Sequence, residues 1–450
     1  MLLCLLSERR PIIRRIKTNS MAKKLRFQKV TGMHDVFGQD IKYFDRVREI
    51  AQDMADFYNF KRIETPILEE AGLFERTTGE SSDIVRKEMF SFKTKGGDYL
   101  ALRPEATPCV GRAYLENGMF NLPSPLKLWY FGPYFRYEHP QSGRFRQFNQ
   151  IGFEILGGSD AVLDAQIIQV TYNLLKEFKL KDITLDINSI GDSVCRPHYK
   201  RALVNFLKSR SSSLCPDCNR RLKENPLRVL DCKKESCIEV VEKAPQIIDY
   251  LCDACHGHFK EVLEFLDESE IQYNLNPYLV RGLDYYTRTV FEFYGEKDAE
   301  GKRQDALGGG GRYDSLIKSL GGKDTPAVGV ALGVERIISL MKNVEVKFPL
   351  PLPPKIFIAQ LGTLAKKKSL KIMEDMRKAN IRVYESFGKD SLRSQLKIAD
   401  KVGAEYALIL GQREVLEKSV ILRNMKTGRQ DLVKLDSVVE ETKKHLRQKE

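Results

Sequence analysis

Long apolar runs are missing from this sequence. No stretch approaches the ~20 residues that a membrane-spanning helix needs, and Leu2-Leu3-Cys4-Leu5-Leu6 is too short for the core of a secretory signal. There is no P-loop lysine motif and no Rossmann glycine fingerprint, so neither of those phosphate cradles is expected. Internal repeats and low-complexity tracts are absent too. Acidic residues are scarce at both ends: residues 1–30 hold nine Lys and Arg against one acid, and residues 354–450 hold 22 against 13. The net charge is +13, so the stretch between them is slightly acidic. Basic ends on such a body suggest a polyanion gripped chiefly by an end; a solvated basic surface is the plainer alternative. Nine cysteines without a secretory signal indicate a reducing compartment, and the expected location is cytoplasmic, with no membrane partner.

What is present reads as a globular protein with ample core, 42% hydrophobic and 30% charged, in two to three domains. Residues 1–24 form a basic extension, expected to be disordered. Its arginine-rich residues 8–17 weakly resemble a transit peptide, but Met21-Ala22-Lys23-Lys24 looks like a natural start and is the favoured reading. Helical spacing of Phe44, Val47, Ile50, Ala51, Met54 and Phe57 predicts a helix over about 40–58. Strands are expected at 60–64, 99–103, 126–136, 147–156 and 183–188, and a helix over 160–178. Residues 200–270 are charged, helical and cysteine-bearing, and read as an insertion (about 195–272) between pieces of a sheet. Strand-like segments return at 278–294, with a helix near 331–343. The proline-dense residues 349–354 predict an extended linker. Beyond it, strands at 355–360, 381–384 and 406–410 alternate with helices, which predicts a small α/β domain over 355–450.

Four segments suggest chemistry. Phe135-Arg136-Tyr137-Glu138-His139-Pro140-Gln141-Ser142-Gly143-Arg144-Phe145-Arg146-Gln147-Phe148 sets three arginines on a hairpin between strands. Arginine suits bidentate phosphate binding, and Phe148 offers a flat face to a base; taken alone, this is equally an exposed basic hairpin. Gly329-Val330-Ala331-Leu332-Gly333-Val334-Glu335-Arg336-Ile337 reads as a strand running into a helix, with Arg336 early in it. Leu279-Val280-Arg281-Gly282-Leu283-Asp284-Tyr285-Tyr286-Thr287-Arg288-Thr289-Val290-Phe291-Glu292 and Gly308-Gly309-Gly310-Gly311-Arg312-Tyr313-Asp314 complete the set.

With Pro66 at the end of a helix–strand unit, the hairpin and the Gly329–Ile337 segment resemble the three motifs of class II aminoacyl-tRNA synthetases, in order; the class I signatures HIGH and KMSKS are absent. The Arg281 and Gly308–Asp314 segments narrow the resemblance to histidyl-tRNA synthetases, over about residues 25–446. The resemblance implies an α+β fold: a class II antiparallel-sheet catalytic core over 25–348 with the helical insertion, plus a C-terminal α/β anticodon-binding domain. It implies a homodimer acting on L-histidine, ATP with Mg2+, and tRNA(His).

The resemblance also assigns roles. Arg136 bridges the α-phosphate and the histidine carboxylate, and Arg281 faces the α-phosphate as charge builds there. Glu105 and Thr107 (with Ala106 between them, where a glycine is common) and Gln150 hold the substrate ammonium. Glu154 and Tyr286, with Tyr285 alongside, read the two imidazole nitrogens, which need up to two partners. Glu138 meets the adenine edge, Phe148 and Arg336 sandwich the ring, and Arg144 and Arg336 hold the outer phosphates. Gln141 contacts the tRNA acceptor end, beside His139 where many family members carry arginine. Without the resemblance, Glu154 would read as a structural ion pair and the tyrosines as core. One alternative remains, a non-catalytic synthetase-like regulatory subunit of ATP phosphoribosyltransferase, but such proteins lose the arginines and the C-terminal domain kept here.

The cysteines are left over. Cys215-Pro216-Asp217-Cys218 and Cys252-Asp253-Ala254-Cys255 are CxxC units with Cys232 and Cys237 between them. A tetrahedral cysteine site for zinc in the insertion is possible. Because related enzymes are not generally zinc-dependent, no required ion is expected; plain thiols are the favoured reading.

Overall fold

A computed structural model describes residues 27–80, 82–139, 143–296, 306–344, 346 and 355–447. The basic extension, the proline-rich linker and Gln141 lie outside the described residues. The chain divides into two compact units between Val346 and Lys347.

The first unit is organised by an eight-stranded sheet. Its order across the sheet is Lys61–Arg62, Leu126–Phe135, Gln147–Leu156, Ala327–Gly333, Gly308–Arg312, Thr287–Tyr294, Thr184–Ser189 and Asn274–Leu275. The six inner strands pair antiparallel, and only the short edge strands pair parallel. Side chains alternate across a strand. In Gln147–Leu156, Ile151, Phe153 and Ile155 face the core and are fully buried, with Phe60 edge-on to Phe153 at 5.1 Å. Helices Gln39–Phe57, Ala161–Glu177 and Val334–Asn343 belong to this unit. A separate three-stranded sheet, Leu68–Glu70, Tyr99–Leu102 and Ser91–Lys93, flanks it. Arg103 ties the two sheets, donating to the Pro133 carbonyl at 3.0 Å and the Thr65 carbonyl at 2.7 Å.

Two expectations are corrected here. Residues 278–286 are irregular, and the strand begins only at Thr287. Asn188 explains this: its side-chain amide donates to the carbonyls of Pro277 and Leu279 at 3.2 and 3.0 Å, replacing a strand ladder. The helix expected near 331–343 begins at Val334, because Ala327–Gly333 is a sheet strand paired on both sides. Arg312, at the end of the glycine strand, is fully buried. It forms a two-pronged ion pair with Asp164 and donates to Asp314 at 3.1 Å, so this part of the glycine segment is structural.

Four helices, Arg196–Lys208, Pro216–Glu224, Glu235–Val241 and Asp253–Glu268, lie in sequence between the strands Thr184–Ser189 and Asn274–Leu275. The second unit is a five-stranded sheet ordered Val383–Glu385, Ile356–Gln360, Tyr406–Leu410, Ser419–Asn424, Gln430–Lys434. Its first three strands are parallel, as the helix–strand alternation predicts. The last two form an antiparallel hairpin not read from the sequence. Its turn is set by Asn424, whose side-chain oxygen accepts the amides of Lys426 and Thr427 at 3.0 Å.

Candidate active site

Phe148, Gln150, Gly152 and Glu154 share the other face of the strand Gln147–Leu156. A pocket stands over this face, lined by Gln150, Phe148, Glu105, Arg136, Arg281 and Arg336 among others. Glu154 lies beneath it, fully buried and outside the lining. Its Oε1 accepts the Thr107 hydroxyl at 2.7 Å and the Tyr130 hydroxyl at 3.3 Å, and its Oε2 accepts from Tyr313. Burial pushes this carboxyl up from 4.5 to about 8, against the pull of the three hydroxyls. Glycines on both sides make room. A Cβ on Gly152 would overlap the Tyr130 ring, and one on Gly329, the cross-strand partner of Glu154, would overlap the Glu154 carboxyl.

Beside this floor, Glu105 precedes the helix Thr107–Glu116 and accepts the hydroxyls of Thr78 and Tyr285, each at 2.6 Å. Burial raises its pKa as well. Ala106 and Thr107 line the same wall. Tyr286 is buried, and that burial carries its phenol up to about 12. The Arg281 guanidinium stands 5.9 Å from the Tyr286 ring and pairs with Glu292, which also accepts from Tyr294. Burial works against the charge on Arg281, but Glu292 together with Tyr286 and Tyr285 outweighs it, and the group's pKa is raised. Arg281 Nε and Gln150 Oε1 are buried with no hydrogen-bond partner among the described residues. Buried polar atoms are normally satisfied, so both are open to a ligand.

The outer wall is basic. Arg136 donates from Nε to the Pro104 carbonyl at 3.0 Å, and its guanidinium lies 5.5 Å from the Phe148 ring. Arg144 and Glu138, given separate roles by the resemblance, pair at 3.6 Å. Arg336 donates to the Gly143 carbonyl at 3.1 Å and the Ala306 carbonyl at 2.5 Å. Its neighbour Glu335 accepts the backbone and side-chain amides of Asn149, at 2.9 Å, locking helix to strand. The structure therefore gathers Arg136, Glu138, Arg144, Phe148, Gln150, Glu105, Ala106, Thr107, Arg281, Tyr285, Tyr286 and Arg336 around one pocket, with Glu154 under it.

The cysteines of the insertion fall into two groups. Cys215, Cys218, Cys232 and Cys237 make one group, and Asp192, Cys195, Cys252 and Cys255 another. The two CxxC units are thus separated, each with its own second pair.

A model of the histidyl-tRNA synthetase family matches residues 32–337. The chain belongs to that family. A model of the anticodon binding domain matches residues 355–445. The histidine–tRNA ligase of Dehalococcoides mccartyi is 44% identical over 421 residues, covering 93% of this chain and 100% of that protein. Among solved structures, the apo S. aureus histidyl-tRNA synthetase superposes with a TM-score of 0.75 at 32% identity, over 92% of this chain and 99% of that one. A Bacillus halodurans chain titled ATP phosphoribosyltransferase regulatory subunit/histidyl-tRNA synthetase reaches 0.59 at 19% identity, over 86% and 99%, which is a likeness of fold alone.

Sequence reasoning on this histidyl-tRNA synthetase family member missed Glu292, Tyr130, Tyr313 and Thr78. Glu292 and Tyr313 stood inside the quoted signature segments, and strand alternation puts Glu292 on the same face as Tyr294. Tyr130 and Thr78 carried no signal, because only the folded sheet brings them to the two buried carboxyls.

Proposed function

We propose that this chain is a histidine–tRNA ligase. It activates L-histidine with ATP, taken with Mg2+, to histidyl-adenylate and pyrophosphate, and then esterifies the 3′ end of tRNA(His). The observation that carries this reading is the layering of the pocket: a buried carboxyl ringed by hydroxyls at the bottom, guanidiniums above. An uncharged or weakly basic ring fits the floor, and a triphosphate fits the rim.

Glu154 and Tyr286 read the imidazole. Glu154 Oε2 accepts from Tyr313 alone among the described residues, and a carboxylate oxygen has a second lone pair to offer. Glu105, Thr107 and Gln150 hold the ammonium, with Gln150 Oε1 free to accept. Arg136 and Arg281 meet the carboxylate and the α-phosphate, and Arg281 leaves Glu292 in part to do so. Phe148, Glu138 and Arg336 hold the adenine, and Arg144 and Arg336 the outer phosphates. In-line displacement at phosphorus is then helped mainly by positioning and by cations aimed at developing charge. A site built on hydrogen bonds to the ring rejects amino acids without it by ~10⁴-fold or more, since a buried carboxyl would be left unpaired.

Residues 25–348 serve as the catalytic domain and 355–450 as the anticodon-binding domain, whose excess of 22 Lys and Arg over 13 acids suits RNA. Gln141 meets the acceptor end. The enzyme works as a cytoplasmic homodimer. Amino-acid-dependent pyrophosphate exchange across all twenty amino acids tests the reading. Histidine alone supports exchange, and exchange with another amino acid, or with none, overturns it.

A further inference from the structure

Seven of the nine cysteines fall between residues 195 and 255. In the group Cys215, Cys218, Cys232 and Cys237 all four sulfurs lie within 4.8 Å of one another. Zn–S bonds of about 2.3 Å in a tetrahedron set sulfurs about 3.8 Å apart. The Cys215 and Cys232 sulfurs are already at 4.0 Å, so a contraction of at most about an ångström closes such a shell. Cys215, Cys218 and Cys237 are buried and Cys232 half-buried.

The backbone is arranged for thiolates. Cys215 caps the helix Pro216–Glu224, and its sulfur accepts the Cys218 amide at 3.4 Å. The Cys237 sulfur accepts the Cys215 amide at 3.2 Å. Amides aimed at sulfur favour the charged form, which is the form that ligates metal. Four uncharged thiols gain little from such crowding, whereas a cation is held by all of them.

We propose that Cys215, Cys218, Cys232 and Cys237 form a structural Zn2+ site. Four protein ligands close the shell, so the ion has no open position for catalysis. Binding displaces the thiol protons. The consequence lies next door. The ligands bracket the helix Pro216–Glu224 and the turn Pro226–Val229, from which Arg221 and Arg228 reach Asp83 at 2.8 and 3.2 Å. Asn225 donates to Asp284 at 2.9 Å. Arg228 packs so close to Gly282 that a Cβ there would stand 2.6 Å from its Nη1. The clamped segment thus rests on the loop that carries Arg281, Tyr285 and Tyr286, and the ion positions that loop from outside the pocket. The Asp192 group is built differently: its carboxylate already accepts the Val194 and Cys195 amides at 2.9 and 3.3 Å and faces Arg288. The proposal is confined to the four-cysteine group. It reverses the expectation from sequence, and it stands independently of which amino acid the enzyme uses.

Elemental analysis of the full-length protein, purified without chelators under reducing conditions and reconstituted with Zn2+, tests it. Wild type should hold at least one zinc per chain, and Cys232→Ser and Cys237→Ser should each hold one fewer, while Cys109→Ala, outside the group, matches wild type. Replacing zinc by Co2+ in wild-type protein covers the case in which a variant does not fold. Thiolate-to-cobalt charge transfer and tetrahedral ligand-field bands should then appear in the absorption spectrum. Zinc-free wild type, iron in place of zinc, zinc content unchanged in Cys237→Ser, or cobalt without thiolate bands would each overturn the site.

Discussion

Replacing Glu154 with Gln separates the fold from the reading of the substrate. In the ligand-free protein the carboxyl titrates near 8, so at pH 7 it is largely neutral. Glutamine is also neutral and of the same shape. Its oxygen can keep the Thr107 and Tyr130 hydroxyls, and its amide can donate to Tyr313 once that hydroxyl rotates. Unfolding free energy below about pH 4.5, where the carboxyl is neutral in the folded and unfolded chain alike, should therefore change by less than about 1 kcal/mol. Histidine binding should suffer more, because the imidazole loses a charged acceptor worth about 1.5–3 kcal/mol. At 1.4 kcal/mol per decade, the Michaelis constant for histidine rises by ~10- to 10²-fold. The assay is pyrophosphate exchange with histidine and ATP varied in turn, beside denaturant unfolding. Stability against pH gives a second readout. A folded-state pKa raised above the usual 4.5 means that the folded protein holds a proton the unfolded chain releases, so this stabilisation is complete below about pH 4.5 and lost by about pH 8. Wild type should weaken across that window, and Glu154→Gln should lose that part of the slope. A Michaelis constant for ATP that rises as much as that for histidine would refute the imidazole contact.

Arg281→His should slow adenylate formation by ~10²-fold or more and slow transfer from preformed adenylate less, in single-turnover measurements of each half-reaction. Equal slowing of both would mark Arg281 as a structural partner of Glu292. Deleting residues 355–450 should raise the Michaelis constant for tRNA far more than that for histidine; unchanged charging would remove the tRNA role of that unit. Arg312→Ala leaves the buried Asp164 with only the His258 ring, 3.5 Å away, beside it and should cost about 3–5 kcal/mol in denaturant unfolding; a loss under about 1 kcal/mol would show that His258 is support enough.

The strands at 126–135 and 147–156 and the helix Gln39–Phe57 were legible because their periodicity is local. The loop at 278–286 was misread because Asn188, about ninety residues away, holds the carbonyls of Pro277 and Leu279 where the loop begins. The hairpin 419–434 carried alternation and a turn signal at Asn424, but it was passed over beside the helix–strand rhythm before it. In the site, the family motifs pointed to the pocket's arginines. The depth of Glu154 was not legible, since it depends on which cross-strand neighbours lack side chains. The grouping of the cysteines was hidden for a similar reason: Cys195 joins Cys252 across most of the helical insertion.

The two glycines around Glu154 bear on how this pocket could ever change its amino acid. Residue 152 cannot grow without evicting Tyr130, and residue 329 cannot grow without evicting Glu154. A smaller residue at 154 would strand the hydroxyls of Thr107, Tyr130 and Tyr313 together. No path of single, individually tolerated steps leads from this floor to one shaped for another side chain. The positions on three adjacent strands are interlocked, and a lineage or an engineer seeking a new substrate has to move several of them at once.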